Sequence, residues 1–162
     1  MTALPIPAPA PIPFDHPWEY ELRFPRDPRG PGIARVTLRT VLAAHGLRDL
    51  TPRAELLTSE LATNSVRHTG HTAAVRLQWL HPVLRVSVWD ADPKIPSPVS
   101  PPPPPDGEGG RGLLILDVLA DRWGGGPVPG GPRGTCGLRG KAVWFELNWD
   151  VPPPVPVPAV TC

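Results

Sequence analysis

Proline decides where this chain can fold. Of its 162 residues 27 are proline, and they crowd into residues 4–17, 93–105 and 152–158. Proline has no N–H to give to a helix or a ladder, and these stretches carry too little periodic apolar sequence to bury a core. Residues 1–17 and 151–162 are therefore expected to be disordered tails. Residues 18–150 form one domain, long enough for a real core, with a Pro- and Gly-rich loop at 93–110.

Charge and cysteine content narrow the function classes. The formal net charge is +1 and the basic residues are scattered, so no DNA or RNA partner is expected. No Lys or Arg precedes Arg23 and no continuous apolar run opens the chain, which argues against a signal peptide or membrane anchor and for a cytoplasmic protein. Cys136 and Cys162 lack metal spacing and read as reduced thiols.

Between the proline blocks the apolar periods alternate between strand and helix. Residues 18–24 (WEYELRF) alternate as a strand, ended by Pro25, Pro28, Gly30 and Pro31. Ile33, Val36, Thr37, Thr40, Val41 and Ala44 keep the spacing of a packing helix, with Gly46 placed for a left-handed C-terminal residue. Thr51 and Pro52 open the next helix, Thr51 as cap and Pro52 at the first helical position, and Gly70 closes it. Residues 75–80 and 83–89, joined by His81-Pro82, read as an antiparallel pair. Residues 112–120 (GLLILDVLA) suit a buried helix, 121–124 a short strand, 125–134 a loop, and 142–149 a last strand burying Val143, Phe145 and Leu147. The six tryptophans read as packing and rim residues.

Three places in this framework carry polar groups where a plain core would not. On the helix that contains ELLTSELATNSVRHTG, the residues Leu57, Glu60, Leu61, Asn64 and His68 share one stripe. Either Glu60 and Asn64 sit at the rim and bond to backbone, or they are held by a ligand such as a metal ion with a bound phosphate. His68 and His71 lie three apart without a third ligand, a poor metal pair. Asp90 ends the row Leu84, Val86, Val88, where it either forms a turn with Ala91-Asp92-Pro93 or accepts a hydrogen bond from an amino group on a planar base. Gly109, Gly110 and Gly112 stand at a helix start after the long loop. They serve either conformation alone or an anion held by free N–H groups. No P-loop or dinucleotide fingerprint is present.

Taken in order, ELATNSVRH, VWDADP and GGRGLLILDVLADRWG resemble the N-box, G1-box and G2-box of the Bergerat-fold ATP-binding superfamily. DADP followed by GRGL and DRWG is particularly similar to the stand-alone ATP-binding regulators of actinobacteria, related to anti-sigma-factor serine kinases. The resemblance spans about residues 18–147. It implies ATP and magnesium as cofactors, with Asn64 holding the Mg²⁺ and Glu60 as the catalytic residue that orients or deprotonates the attacking group. It also implies Asp90 on the adenine amino group, Asp92 beside it, and Gly110, Gly112 and Leu113 giving N–H groups to the phosphates with Arg111 nearby. Asp92 and Lys94 stand where the family has glycines, and Ala142 is read as the position of a threonine that contacts the base.

The fold that follows is an α/β two-layer sandwich, with helices covering one face of a mixed, mainly antiparallel sheet and residues 93–110 as a lid. The first functional reading is an ATP-dependent serine/threonine kinase acting on a STAS-type anti-sigma antagonist. The alternative is a module that binds ATP to present a surface to a sigma factor or another regulator, with little phosphotransfer. A homodimer is compatible with either. A split histidine kinase fits less well, since no long dimerisation helix with a phosphoacceptor histidine is present.

Overall fold

The computed structural model describes residues 7–68, 72–91, 111–129 and 139–150. Both expected tails reach beyond these residues, and the 93–110 loop lies outside them. The described elements are β1 (Trp18–Phe24), α1 (Gly30–Ala44), α2 (Thr51–His68), β2 (Ala73–Leu80), β3 (Val83–Asp90), α3 (Arg111–Leu119), β4 (Arg122–Pro129) and β5 (Arg139–Asn148). The strands form one sheet in the order β1-β2-β3-β5-β4. All four pairings are antiparallel, so the mainly antiparallel sheet that was expected holds no parallel pair among the described strands.

One face of this sheet is apolar and takes the helices. Val75, Leu77 and Trp79 of β2, Leu84, Val86 and Val88 of β3, and Val143, Phe145 and Leu147 of β5 are buried there. They pack with Ala34, Leu38 and Leu42 of α1, Ala54, Leu57 and Leu61 of α2, and Leu116 of α3. The alternate residues form the other face, where Arg76 pairs with Glu21 and Arg85 with Glu146 while lying over the Trp144 ring. Period-two alternation thus separates a fused core from a charged ladder. No described helix is long and apolar enough to cross a membrane.

The helix ends follow local chemistry. Gly46 takes φ +76°, and the N–H groups of Gly46 and Leu47 donate to the carbonyls of Ala43 and Leu42 at 3.3 and 2.8 Å. This is the paired closure a left-handed glycine permits. Helix α1 starts at Gly30 with proline in its first turn, so Pro31 begins the helix that it was expected only to precede. Thr51 is already helical, at φ −56° and ψ −47°, continuing a 3-10 turn at Arg48–Leu50. It therefore lacks the extended backbone of the cap it was expected to be.

Strand β4 is longer than its sequence suggests, since the glycine- and proline-rich residues 125–129 extend it. The indole of Trp144 lies over Gly124, whose Cβ would come within 2.8 Å of Cζ2. An aromatic ring laid over a strand glycine covers bare backbone, and Pro127 is tolerated because β4 is an edge strand. Residues before Trp18 also join the fold. The Phe14 ring packs against Trp79 and Trp149 at centroid distances of 5.5 and 4.6 Å, and the Trp79 indole N–H donates to the Phe14 carbonyl at 2.8 Å.

Candidate functional site

The sheet register decides which end of the molecule carries the polar groups. Asp90 ends the buried row of β3 and is 5% exposed. Because Ala74 pairs with Trp89, Ala73 stands beside Asp90 at the start of β2. Residues 69–72 alone link His68 to Ala73, so the C-terminal half of α2 is held at the Asp90 end.

At the opposite end, the Asn148 N–H donates to Asp121 Oδ2 at 2.6 Å. The Arg53 guanidinium reaches the Leu119 carbonyl at 3.3 Å and the Asp121 carboxylate at 3.4 Å. The start of α2 and the finish of α3 are thereby tied together, and α3 runs back along α2. Its first turn, residues 111–113, points toward the Asp90 end. N–H groups in a first helical turn have no acceptors within the helix, so that turn can receive an anion.

On α2, Leu57 and Leu61 are buried, Glu60 is half-buried and Asn64 is exposed. The polar pair is therefore not sunk in an apolar face. It lies on the rim, where water solvates both groups and no buried partner is needed. That rim is open to a ligand. The placement of Asp92 and Gly110, and the side chains of Arg111 and Leu113, lie outside the described residues, as does His71.

Lys141 is the site residue that the sequence pattern left unmarked. It stands directly across from Asp90 in the β3–β5 register. Its Nζ is 3.9 Å from Asp90 Oδ1, with the two side chains 12% and 7% exposed. Ala142 pairs with Trp89 and faces the other side of the sheet. The expectation that Ala142 sits beside the base is thus corrected, because successive strand residues point to opposite faces. The alternation that buries Val143, Phe145 and Leu147 extends to Lys141, and would have found it. A depression of about 210 Å³, lined by Ala74, Arg76, Ser87, Trp89 and Ala142 among others, lies on that far face and is separated from Asp90 by the sheet.

Among the described residues, no group of three or more His, Cys, Asp or Glu could hold a metal by itself. Asn64 offers one carboxamide oxygen at the rim. That suits Mg²⁺, which keeps waters and phosphate oxygens as most of its ligands.

Residues 24–135 match the family model of the histidine kinase-like ATPase domain. The matched stretch includes α1, α2, α3, β2, β3 and β4, and leaves out β5 and all of β1 but Phe24. An uncharacterized protein of Streptomyces coelicolor is 41% identical over 71 residues, covering 41% of this chain and 66% of that protein. The chain thus spans just under two thirds of that relative's length. With more than half of its residues inside the family match, the chain belongs to the histidine kinase-like ATPase domain family, and ATP is the ligand that this membership implies.

Proposed function

We propose that the protein is an ATP-dependent regulator that phosphorylates a serine or threonine of a small STAS-type antagonist protein in an anti-sigma system. One observation supports this reading above the others. The Glu60–Asn64 rim of α2, the Asp90 end of β3 and the first turn of α3 converge at one end of the sheet. A base acceptor, an anion-binding turn and a carboxylate near the phosphate end are the parts that phosphoryl transfer needs. The similarity of DADP, GRGL and DRWG to anti-sigma-type regulators supports the partner class.

In this reading Asp90 accepts a hydrogen bond from the adenine amine, and N–H groups of the α3 first turn bind phosphate oxygens. Asn64 would hold Mg²⁺, which supplies neutralisation of phosphate charge. Glu60 takes the proton of the attacking hydroxyl as its oxygen bonds to the γ-phosphorus. The bond from that phosphorus to the bridging oxygen breaks, and ADP leaves.

The test is transfer of label from γ-labelled ATP to candidate antagonist proteins encoded near this chain's gene. Label should reach one of them. Glu60→Ala should bind ATP normally and lose about a hundredfold to ten-thousandfold in transfer rate, and Asn64→Ala should lose both. A partner that binds tightly but never takes label would instead establish the ATP-dependent binding module.

A further inference from the structure

We propose that β1 is a self-association edge, where a second copy of this chain adds its own β1 antiparallel and continues the sheet across a twofold axis at Glu21. The association does not depend on the nucleotide reading. Strands β1 and β4 are the two edges of the sheet, and they differ. Strand β4 is closed to a further strand by Pro127 and Pro129, which have no N–H to offer. Strand β1 holds neither proline nor glycine in its seven residues. Among the described residues, no backbone group bonds to it from the side away from β2.

The sequence of β1 is complementary to itself. In an antiparallel pair centred on residue 21, Trp18 lies opposite Phe24 of the second copy, Tyr20 opposite its Leu22 and Glu19 opposite its Arg23. Apolar residues then meet on the helix side, and acid meets base on the outer face. Glu21 meets its own copy, with its charge already balanced by Arg23 and Arg76, each at 2.8 Å. An exposed ion pair adds little affinity. Two of them related by the axis favour this register over the slip that sets Glu19 against Glu21.

The helix above β1 carries a matching surface. Gly30 of α1 lies against the Phe24 ring. His45, just past the end of α1, stacks on Trp18 at 4.4 Å and is hydrogen-bonded to the Tyr20 hydroxyl at 2.8 Å. Helix α1 thus runs along β1. It buries Gly30, Ala34, Leu38 and Leu42, and leaves over the stripe of Ile33, Thr37, Thr40 and Ala44 that its sequence offers equally for packing. Arg39 pairs with Glu55 of α2, so Thr37, two residues or about 200° earlier, lies on the flank away from α2. Ile33, Thr40 and Ala44 share that flank and are exposed, Ile33 by 54%. Paired strands lie about 4.8 Å apart and packed helices about 8–10 Å apart. Joining the two β1 strands therefore sets this flank beside the same flank of the second copy, where the left-over stripe is buried.

Two measurements on the unaltered chain test the edge without any variant. Sedimentation equilibrium should give twice the monomer mass at about 100 μM. Amide exchange compared at low and high protein concentration should slow about tenfold or more within β1 and stay unchanged within β4. Cross-linking then reads the register. In a chain carrying Cys136→Ser and Cys162→Ser, Glu21→Cys should form an intermolecular disulfide on mild oxidation, because opposed Cα atoms lie about 4.5–5.5 Å apart. Glu19→Cys should not, because four ladder steps, about 13 Å along the strand, separate it from its copy. A chain that stays monomeric at about 100 μM would overturn the proposal, and β1 protection gained only on adding a different protein would assign the edge to that protein instead. A dimer whose β1 amides exchange as fast as the monomer's, or one that links through Glu19→Cys as readily as through Glu21→Cys, would overturn it as well.

Discussion

Gly140 lies against the backbone carbonyl of Asp90. A Cβ at Gly140 would overlap that oxygen and come within 2.9 Å of Cε2 and Cζ2 of Trp89. Gly140→Ala must therefore move the backbone that carries Asp90, and is expected to cost about 1–3 kcal/mol and to weaken nucleotide binding. Gly126 on the neighbouring strand meets nothing within 4 Å. There alanine should be neutral or stabilise by up to about 1 kcal/mol through the unfolded chain. Denaturant melts of the two variants compare the sites directly, and equal stabilities would contradict the crowding at Gly140.

Asp90→Asn keeps the shape of the side chain but removes the charge and one acceptor oxygen. If Asp90 meets the adenine amine, ATP affinity should fall about tenfold to a hundredfold. GTP, which lacks that amine, should be affected less. Calorimetry with both nucleotides measures the difference, and equal losses would place Asp90 away from the base.

Asp27 accepts hydrogen bonds from the Arg29 guanidinium and backbone N–H just before α1. These bonds, the guanidinium's first, hold its pKa down to about 2, below the ordinary 3.8. A carboxyl with a depressed folded-state pKa adds stability that is fully present above its unfolded pKa. That stability is lost as pH falls through the folded value. The contribution of Asp27 should therefore be constant above about pH 5 and gone by about pH 1. A carbon-detected NMR titration giving Asp27 an ordinary pKa would contradict the Arg29 contacts.

Phe14 seals the aromatic end of the sheet from outside the domain proper. Deleting residues 1–11 should change stability by no more than about 0.5 kcal/mol. Deleting residues 1–16 removes the Phe14 ring from Trp79 and Trp149 and leaves the Trp79 N–H without its carbonyl. That longer deletion should cost about 2–4 kcal/mol. Thermal melts of the two truncations decide it, and matching midpoints would show that Phe14 adds nothing.

Local chemistry in the sequence determined most of the elements. Strand β1, the β2–β3 hairpin, the body of α2 and the left-handed turn at Gly46 all follow from apolar period and single glycines, which act on immediate chain neighbours. The row ending in Asp90 was equally legible, because one strand carries it. Relations between strands and helices were decided only by the tertiary structure. Residues 125–129 read as a loop, yet they extend β4 beyond Gly124, which Trp144 of the next strand covers. Asn64 shares a stripe with Leu57 and Leu61, yet it ends exposed while Ser65 beside it is buried, because the packing of α2 on its neighbours decides which side of the helix the core covers. Lys141 and Ala142 are neighbours in the chain, and only the pairing of β5 with β3 puts the lysine beside Asp90 and the alanine behind the sheet. A strand's own alternation says which residues share a face, but which residue of another strand lies opposite is set by register, and register is a property of two strands packed on one core.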